Sequence, residues 1–338
     1  MGVTRLHALA LSAAICALLG ACLGQIGSGG DVEGECPTTS SPGAPVPMRR
    51  LTALQVERTA TAILGVSVPV DVDDETLFTF KSNISSSVDF VGAHGYLTFA
   101  EAAVAAADLS ACSQAGDACT AWLFDDVGRR LFRRAMSSDE RTRYQALFDA
   151  GALENGPLEG ARWVVEAMLQ SPTFLYMDEV VEDDGFLDDT SIAARLALTL
   201  WGSNPDAELL AEAEAGRLST PEELRAAAER MLADPRSLGG LTDFVDQWLR
   251  LSRLNDPDAR PDLEALGQEM LGAMRAEPVQ LFQMLVNEDG NIAALLTTNV
   301  TPASPVLAAH YGADVLDSAG DRMTLDSARR AGVLSLPG

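Results

Sequence analysis

Three Ser/Thr-x-x-Gln/Glu boxes are spread along the chain, at Thr52 to Gln55, Ser137 to Glu140 and Thr220 to Glu223. In such a box the hydroxyl accepts a bond from the backbone N–H three residues on, and the Gln or Glu returns one, so each box starts a helix. Pro221 strengthens the third start, because the first helical position needs no N–H. Several segments also carry apolar residues at helical period. From Leu241, the apolar residues Phe244, Val245, Trp248 and Leu249 recur at i+3, i+4, i+7 and i+8, which predicts one buried stripe. Similar stripes run through Trp122, Val127 and Leu131, through Trp163, Ala167 and Leu169, and through Leu263, Leu266, Met270 and Met274. Ile192 to Trp201 is apolar on nearly every side, as a central helix would be. Pro172 and Pro278 are expected to end or kink their helices. Only residues 66–70, 77–80 and 88–91 read as extended. The expected fold class is all-α: an irregular multi-helix bundle with at most a few short extended segments near 66–91.

The acidic stretch from Asp178 to Asp189 divides this pattern into a first helical domain, 49–177, and a second, 190–338. The second ends without a capping pattern after Arg329, as a truncated domain would.

The first 48 residues are different in kind. Arg5, the apolar run Ala8 to Leu19 and the small pair Gly20-Ala21 form the three zones of a secretory signal. The run is too short to cross a bilayer, which takes about 20 residues. Leu19-Gly20-Ala21-Cys22 resembles the bacterial lipobox, which implies cleavage after residue 21 and lipid on Cys22. Leu23 rather than Asp follows the cysteine, which by resemblance to Gram-negative sorting implies the outer membrane. Residues 22–48 are rich in Gly, Pro, Ser and Thr and read as a flexible tether, reaching roughly 28 Å r.m.s. from the membrane. The expected location is therefore the cell envelope, lipid-anchored on the extracytoplasmic side.

The chain has 338 residues, 24 basic and 49 acidic; loss of Arg5 with the signal leaves a formal charge of −26. That excess repels nucleic acid and anionic lipid and disfavours phosphate ligands. Of the five cysteines, Cys16 leaves with the signal and Cys22 takes lipid. Cys112 and Cys119 are the natural disulfide in an oxidising compartment, a closure worth roughly 2.5 kcal/mol. Cys36 is left over in the tether.

A series of short phrases then carries a family resemblance. They are Arg50-Leu51-Thr52 with Leu64-Gly65, Phe132-Arg133-Arg134, and Leu169-Gln170-Ser171-Pro172-Thr173-Phe174-Leu175-Tyr176. After them come Ala194-Arg195-Leu196 with Leu200-Trp201, Pro205-Asp206 with Glu208-Leu209-Leu210, and Met231-Leu232-Ala233-Asp234-Pro235-Arg236. Gln247-Trp248-Leu249, His310-Tyr311-Gly312 and Arg330-Ala331-Gly332-Val333-Leu334 complete the series. In this order they resemble the large surface proteins of planctomycetes and myxobacteria that carry planctomycete-cytochrome-type domains of unknown function. The resemblance covers nearly everything after Arg49. It implies a longer protein whose downstream part carries a Cys-x-x-Cys-His haem-attachment motif. This chain has no such motif, so c-type haem is expected only in a missing C-terminal part and no cofactor in this chain. Leu198-Thr199 and Gly202 depart from the family phrase, where aromatic and serine residues are usual.

No catalytic constellation stands out. Arg129, Arg130, Arg133 and Arg134 form the one basic patch, suited to a haem propionate or an acidic partner through bidentate contacts. The competing reading pairs Asp125 with Arg129 and Asp126 with Arg130 at i, i+4 near a helix C-terminus. His310 beside Tyr311 is the other candidate binding pair, and His94 sits in an expected loop. Asp71, Asp73, Asp74 and Glu75, or Asp256, Asp258 and Asp262, are calcium candidates, but neither has the EF-hand spacing. No metal site is expected, and the four tryptophans read as core. The sequence thus points to a membrane-anchored extracytoplasmic binding or scaffold module. The alternative is part of a surface redox assembly that docks a downstream cytochrome domain.

Overall fold

The structure is a computed structural model describing residues 48–84, 87–114, 116–183, 185–255, 266–288, 290–312 and 320–336. The signal, Cys22, Cys36, nearly all of the tether, Leu263 and the acids Asp256, Asp258 and Asp262 lie outside the described residues.

All three boxes start helices with both reciprocal bonds in place. They open α1 (Ala53–Leu64), α5 (Ser138–Asn155) and α10 (Pro221–Ala233). Between the first two lie α2 (Phe90–Ala106), α3 (Asp117–Ala121), a π-helical stretch Trp122–Gly128 and α4 (Arg129–Leu131). After α5 come α6 (Pro157–Leu169), α7 (Pro172–Leu175), α8 (Asp189–Leu200) and α9 (Ala207–Glu214). Beyond α10 are α11 (Ser237–Leu249), α12 (Gly267–Asn287), α13 (Ile292–Thr297) and α14 (Pro305–Tyr311). The fold is all-α. Among the described residues the strands are two or three residues long and pair as antiparallel couples: β1 (Arg49–Arg50) with β4 (Tyr176–Met177), β2 (Thr76–Leu77) with β3 (Phe80–Lys81), and β5 (Val300–Pro302) with β6 (Arg322–Thr324).

Three local expectations are corrected. Residues 88–91 are not extended: Asp89 accepts a bond from Gly92 N and starts α2 at Phe90, so the cap outweighs the β-branched pair Val88 and Val91. That places His94 on a helix rather than in a loop. Residues 66–70 form no strand, and 77–80 is a tight hairpin with Phe78 at φ 58° in its turn. The two prolines behave differently, and the stop expected at Pro278 is not found. Pro172 opens α7, while α12 runs through Pro278 without ending.

The interior forms several clusters. One packs Leu51 just before α1 and Val56 within it, Tyr96 and Phe99 of α2, the π-helical stretch, and Val164, Val165 and Met168 of α6, with Cys112, Cys119 and Leu198 against it. A second gathers Ala193, Ala197 and Trp201 against Leu209, Leu218 and Met231. A third joins Val245 of α11 to Leu271 and Met274 of α12 and to Leu307 and Met323. The stripe on α11 is only partly buried. Val245 is inside, but Phe244 is 44 % exposed and stacks on Phe80 at 5.9 Å and on Trp248 at 5.8 Å. Of the tryptophans, Trp201 alone is fully buried; Trp122, Trp163 and Trp248 are half-buried.

Helices α5 and α6 form an antiparallel hairpin turned by Gly156 at φ 85°. Gly151 and Gly160 face one another across it: a Cβ on Gly151 would lie 2.9 Å from Gly160 Cα. The Cys112–Cys119 disulfide forms as expected, with both cysteines at most 1 % exposed. Among the described residues no helix is long and apolar enough to cross a membrane.

Candidate functional site

The basic patch does not survive as a surface. Each of its four arginines is taken up by the fold, and each differently. Arg129 forms a bidentate pair with Glu214 of α9, Nε and Nη2 donating at 2.7 and 2.9 Å. The expected Asp125–Arg129 pair is therefore absent, because Asp125 is engaged by Arg141 of α5 instead. Asp126 and Arg130 do pair, at 3.6 Å, and Arg130 also donates to the carbonyls of Ala62 and Ile63 at the end of α1.

Arg133 is the most unusual of the four. It is 5 % exposed, at φ 60° immediately past α4, and no carboxylate bonds it among the described residues. Its Nη2 donates to the carbonyls of Thr173 and Tyr176, both at 2.6 Å, and its Nη1 donates to Phe174 O at 3.1 Å and Asn204 Oδ1 at 3.2 Å. Burial, with Arg134 beside it, pushes its pKa down to about 10. Asn204 completes the node. Its Nδ2 donates to the carbonyls of Arg130 and Leu131, and its backbone N–H donates to Thr59 Oγ1.

The rest of that phrase is equally committed. Trp201 donates through Nε1 to Met231 O at 3.0 Å and stacks under the Arg236 guanidinium, 3.6 Å from its ring centroid. Asp206 caps α9 through Leu209 N and accepts from Arg236 at 2.8 Å. Gly202, one of the departures from the family phrase, sits at φ 65°, where a side chain would be strained and would crowd Arg58.

Arg134 pairs with Glu140, Nη1 and Nη2 each donating to a carboxylate oxygen at 2.9 Å. Glu140 also accepts from Ser137 N inside the capping box. The arginine's bonds, and then the Ser137 N–H, hold the Glu140 carboxyl down to about pH 2 against an ordinary 4.5. A depressed carboxylate pKa stabilises the fold above about pH 4.5 and loses that contribution as pH falls toward 2. With Arg134 about a third exposed and Glu140 largely buried, this is on the order of 1–2 kcal/mol. We expect acid unfolding, followed by circular dichroism between pH 5 and 2, to be flattened in that window by Glu140→Gln. An unchanged profile would remove the pair from the acid transition.

His310 and Tyr311 share a helix end but not a cleft. His310 is exposed, while Tyr311 reaches inward and donates its hydroxyl to Glu277 of α12. Glu277 is 1 % exposed and also accepts from Thr301 Oγ1 at 2.9 Å; burial raises its carboxyl pKa despite those two bonds. Arg330 covers the Tyr311 ring at 4.7 Å. Through Tyr311 and Thr301, Glu277 ties α14 and the preceding strand β5 to α12. Of the calcium candidates near residue 74, Asp74 is engaged by the fold: it accepts from Ala53 N and Asn83 Nδ2 and faces Lys81 at 3.4 Å. Among the described residues no group of three or more His, Cys, Asp or Glu side chains could hold a metal.

One of the openings among the described residues is a cavity of about 400 Å³ where β1 meets β4, lined also by Arg195 and Thr199 from the second half of α8. Arg49, Arg195 and Glu179 supply its charged wall, and Met48, Ile84 and Met177 its apolar wall. Sequence reading passed over Arg49 because it stands at the tether boundary. The signal for it is the doublet Arg49-Arg50 just before the first box: in a strand, neighbours point to opposite faces, so one arginine goes in and the other flanks it. Arg50 is the inward one, 2 % exposed, bonding Tyr96 and the Asp73 carbonyl.

Residues 187–313 match PSD4, a family described as protein of unknown function (DUF1592), and residues 119–179 match PSD5, protein of unknown function (DUF1595). Both are domains of the planctomycete cytochrome-associated group. No curated protein and no solved structure matches the chain.

Proposed function

We propose that a chain combining these two domains is a lipid-anchored, extracytoplasmic binding module, held at the outer membrane through Cys22 and presenting its helical body to a partner. The observation that carries the compartment is the Cys112–Cys119 disulfide, a bond that persists in oxidising surroundings and is rare in a reducing cytosol. The lipobox-like Leu19-Gly20-Ala21-Cys22 supports the anchor. The binding role is supported by the way the fold spends its charges. The basic patch and the Glu277 trio serve as internal ties, while the cavity at Arg49 is one polar opening outside them.

A second reading is favoured by the matched domains themselves: the module docks a c-type cytochrome domain encoded downstream. The described cysteines do not fit haem attachment, since Cys112 and Cys119 are joined to each other and offer no thiol. Any such haem belongs to the partner.

The anchor is tested by Cys22→Ser in a Gram-negative host, with fractionation and labelling by an alkyne fatty acid. The wild-type chain is expected in the membrane fraction and labelled, and the variant unlabelled and released. Equal membrane association of both would end the lipoprotein reading. A full reading frame with no Cys-x-x-Cys-His beyond residue 338 would end the cytochrome reading.

A further inference from the structure

The cavity at the β1–β4 junction contains a guanidinium whose bonding is incomplete. Arg49 is held in place by strand pairing, Arg49 opposite Met177, and its side chain is half-buried. Among the described residues its guanidinium meets one acceptor, the Met177 thioether, Nη2 donating to Sδ at 3.0 Å. A thioether is a weak acceptor, and a guanidinium has five donors in a fixed fork. Glu179, the nearest carboxylate by its effect on Arg49, is already taken: it accepts Nε and Nη2 of Arg195 at 2.5 and 2.8 Å. Burial lowers the Arg49 pKa, Glu179 opposes that shift and Arg195 adds to it, so a partly desolvated cation lines the cavity.

We propose that this cavity is a binding site for a small monocarboxylate with a short apolar body. A planar carboxylate matches the fork bidentately, and Met48, Ile84 and Met177 offer the apolar contact. The volume of about 400 Å³ lies in the range of small-ligand pockets. The charge favours one negative unit over two. Asp178 and Glu179 also line the cavity, and a phosphate dianion would face both. The inference rests on the binding-module reading and names its ligand class, but it is independent of the anchor.

The test uses the full mature chain, labelled with ¹⁵N-arginine, in nonionic detergent. Sodium butyrate is titrated in, with butyramide as its uncharged isostere and inorganic phosphate as the competing anion. Butyrate is expected to move the Arg49 Nε–H resonance saturably, and butyramide and phosphate to bind at least about tenfold more weakly, the discrimination of one charge-assisted pair. Arg49→Lys loses the fork and should weaken butyrate by a similar factor. Thr199→Leu fills the cavity wall from an exposed helical position and should weaken binding with Arg49 still in place and the thermal midpoint unchanged. The proposal is overturned by no saturable shift, by equal affinity for butyramide or phosphate, or by wild-type binding in both variants. Because Cys22→Ser leaves the cavity intact, a failed anchor and a failed ligand site give different results.

Discussion

Replacing Arg133 by methionine is expected to destabilise the fold by about 3–5 kcal/mol, a large share of the roughly 5–15 kcal/mol that holds a domain folded. Methionine fills much of the volume but donates nothing. The carbonyls of Thr173, Phe174 and Tyr176 and the amide oxygen of Asn204 would each lose a donor, those of Phe174 and Asn204 in buried bonds and the other two in part-buried ones. A buried acceptor left unmade costs about 1–3 kcal/mol, and several such losses are only partly offset by relaxation. Arg133→Lys is expected to recover little, since a single ammonium cannot span acceptors arranged for a planar fork. The position is also a backbone exception: at φ 60° the chain turns sharply out of α4, and the side chain's bonds hold that turn. Urea unfolding read by tryptophan fluorescence would show the midpoint fall. An unfolding free energy within about 0.5 kcal/mol of wild type would mean the node is peripheral to stability.

The second large effect concerns a glycine. Gly160→Ala on α6 is expected to cost about 2–4 kcal/mol, although alanine favours helix by about 1 kcal/mol over glycine. The added Cβ would press into the Phe148 carbonyl and lie 2.9 Å from the Phe148 ring and 3.1 Å from Ala152 N. These are mostly backbone atoms of α5, so the obstruction cannot be relieved by a rotamer change. The two helices would have to separate, opening the interface around Phe148, Ala161 and Val164. Ala150→Gly, at an exposed position of α5, supplies a control for helix propensity alone. If Gly160→Ala raised the denaturation midpoint, the close crossing of α5 and α6 would be wrong.

These two positions also mark where the sequence stops being readable. Capping boxes were legible because Thr52 and Gln55, or Ser137 and Glu140, are partners three residues apart and the bond is local. The disulfide was legible for the same reason. Arg133 looked like one member of a basic patch because nothing nearby announces Asn204, 71 residues on, or the carbonyls at the start of α7. Asp125 and Arg129 had the right helical spacing, yet each found a better partner on another helix, which a one-helix argument cannot see. Gly160 reads in sequence as a weak spot in a helix, and only the crossing shows it to be a requirement. Glu277 was one acid among 49, and its burial follows from Tyr311 and Thr301 reaching it from later segments. The Arg49 cavity was hidden by its place at the end of the tether, where composition suggested only a linker.

The disulfide has a further consequence, which comes from its place in the interior rather than from its energy. Thiol–disulfide exchange needs an incoming thiolate to reach one sulfur directly. With Cys112 and Cys119 at most 1 % exposed, no reductant reaches either sulfur while the helices around them are closed. Reduction must wait for an opening of that cluster, so its pace at saturating reductant is set by how often the core opens. The bond thus works as a clock inside the protein. Its lifetime in a reductant measures breathing of the α2–α6 core under native conditions, and substitutions that loosen the Gly151–Gly160 crossing should make the clock run fast.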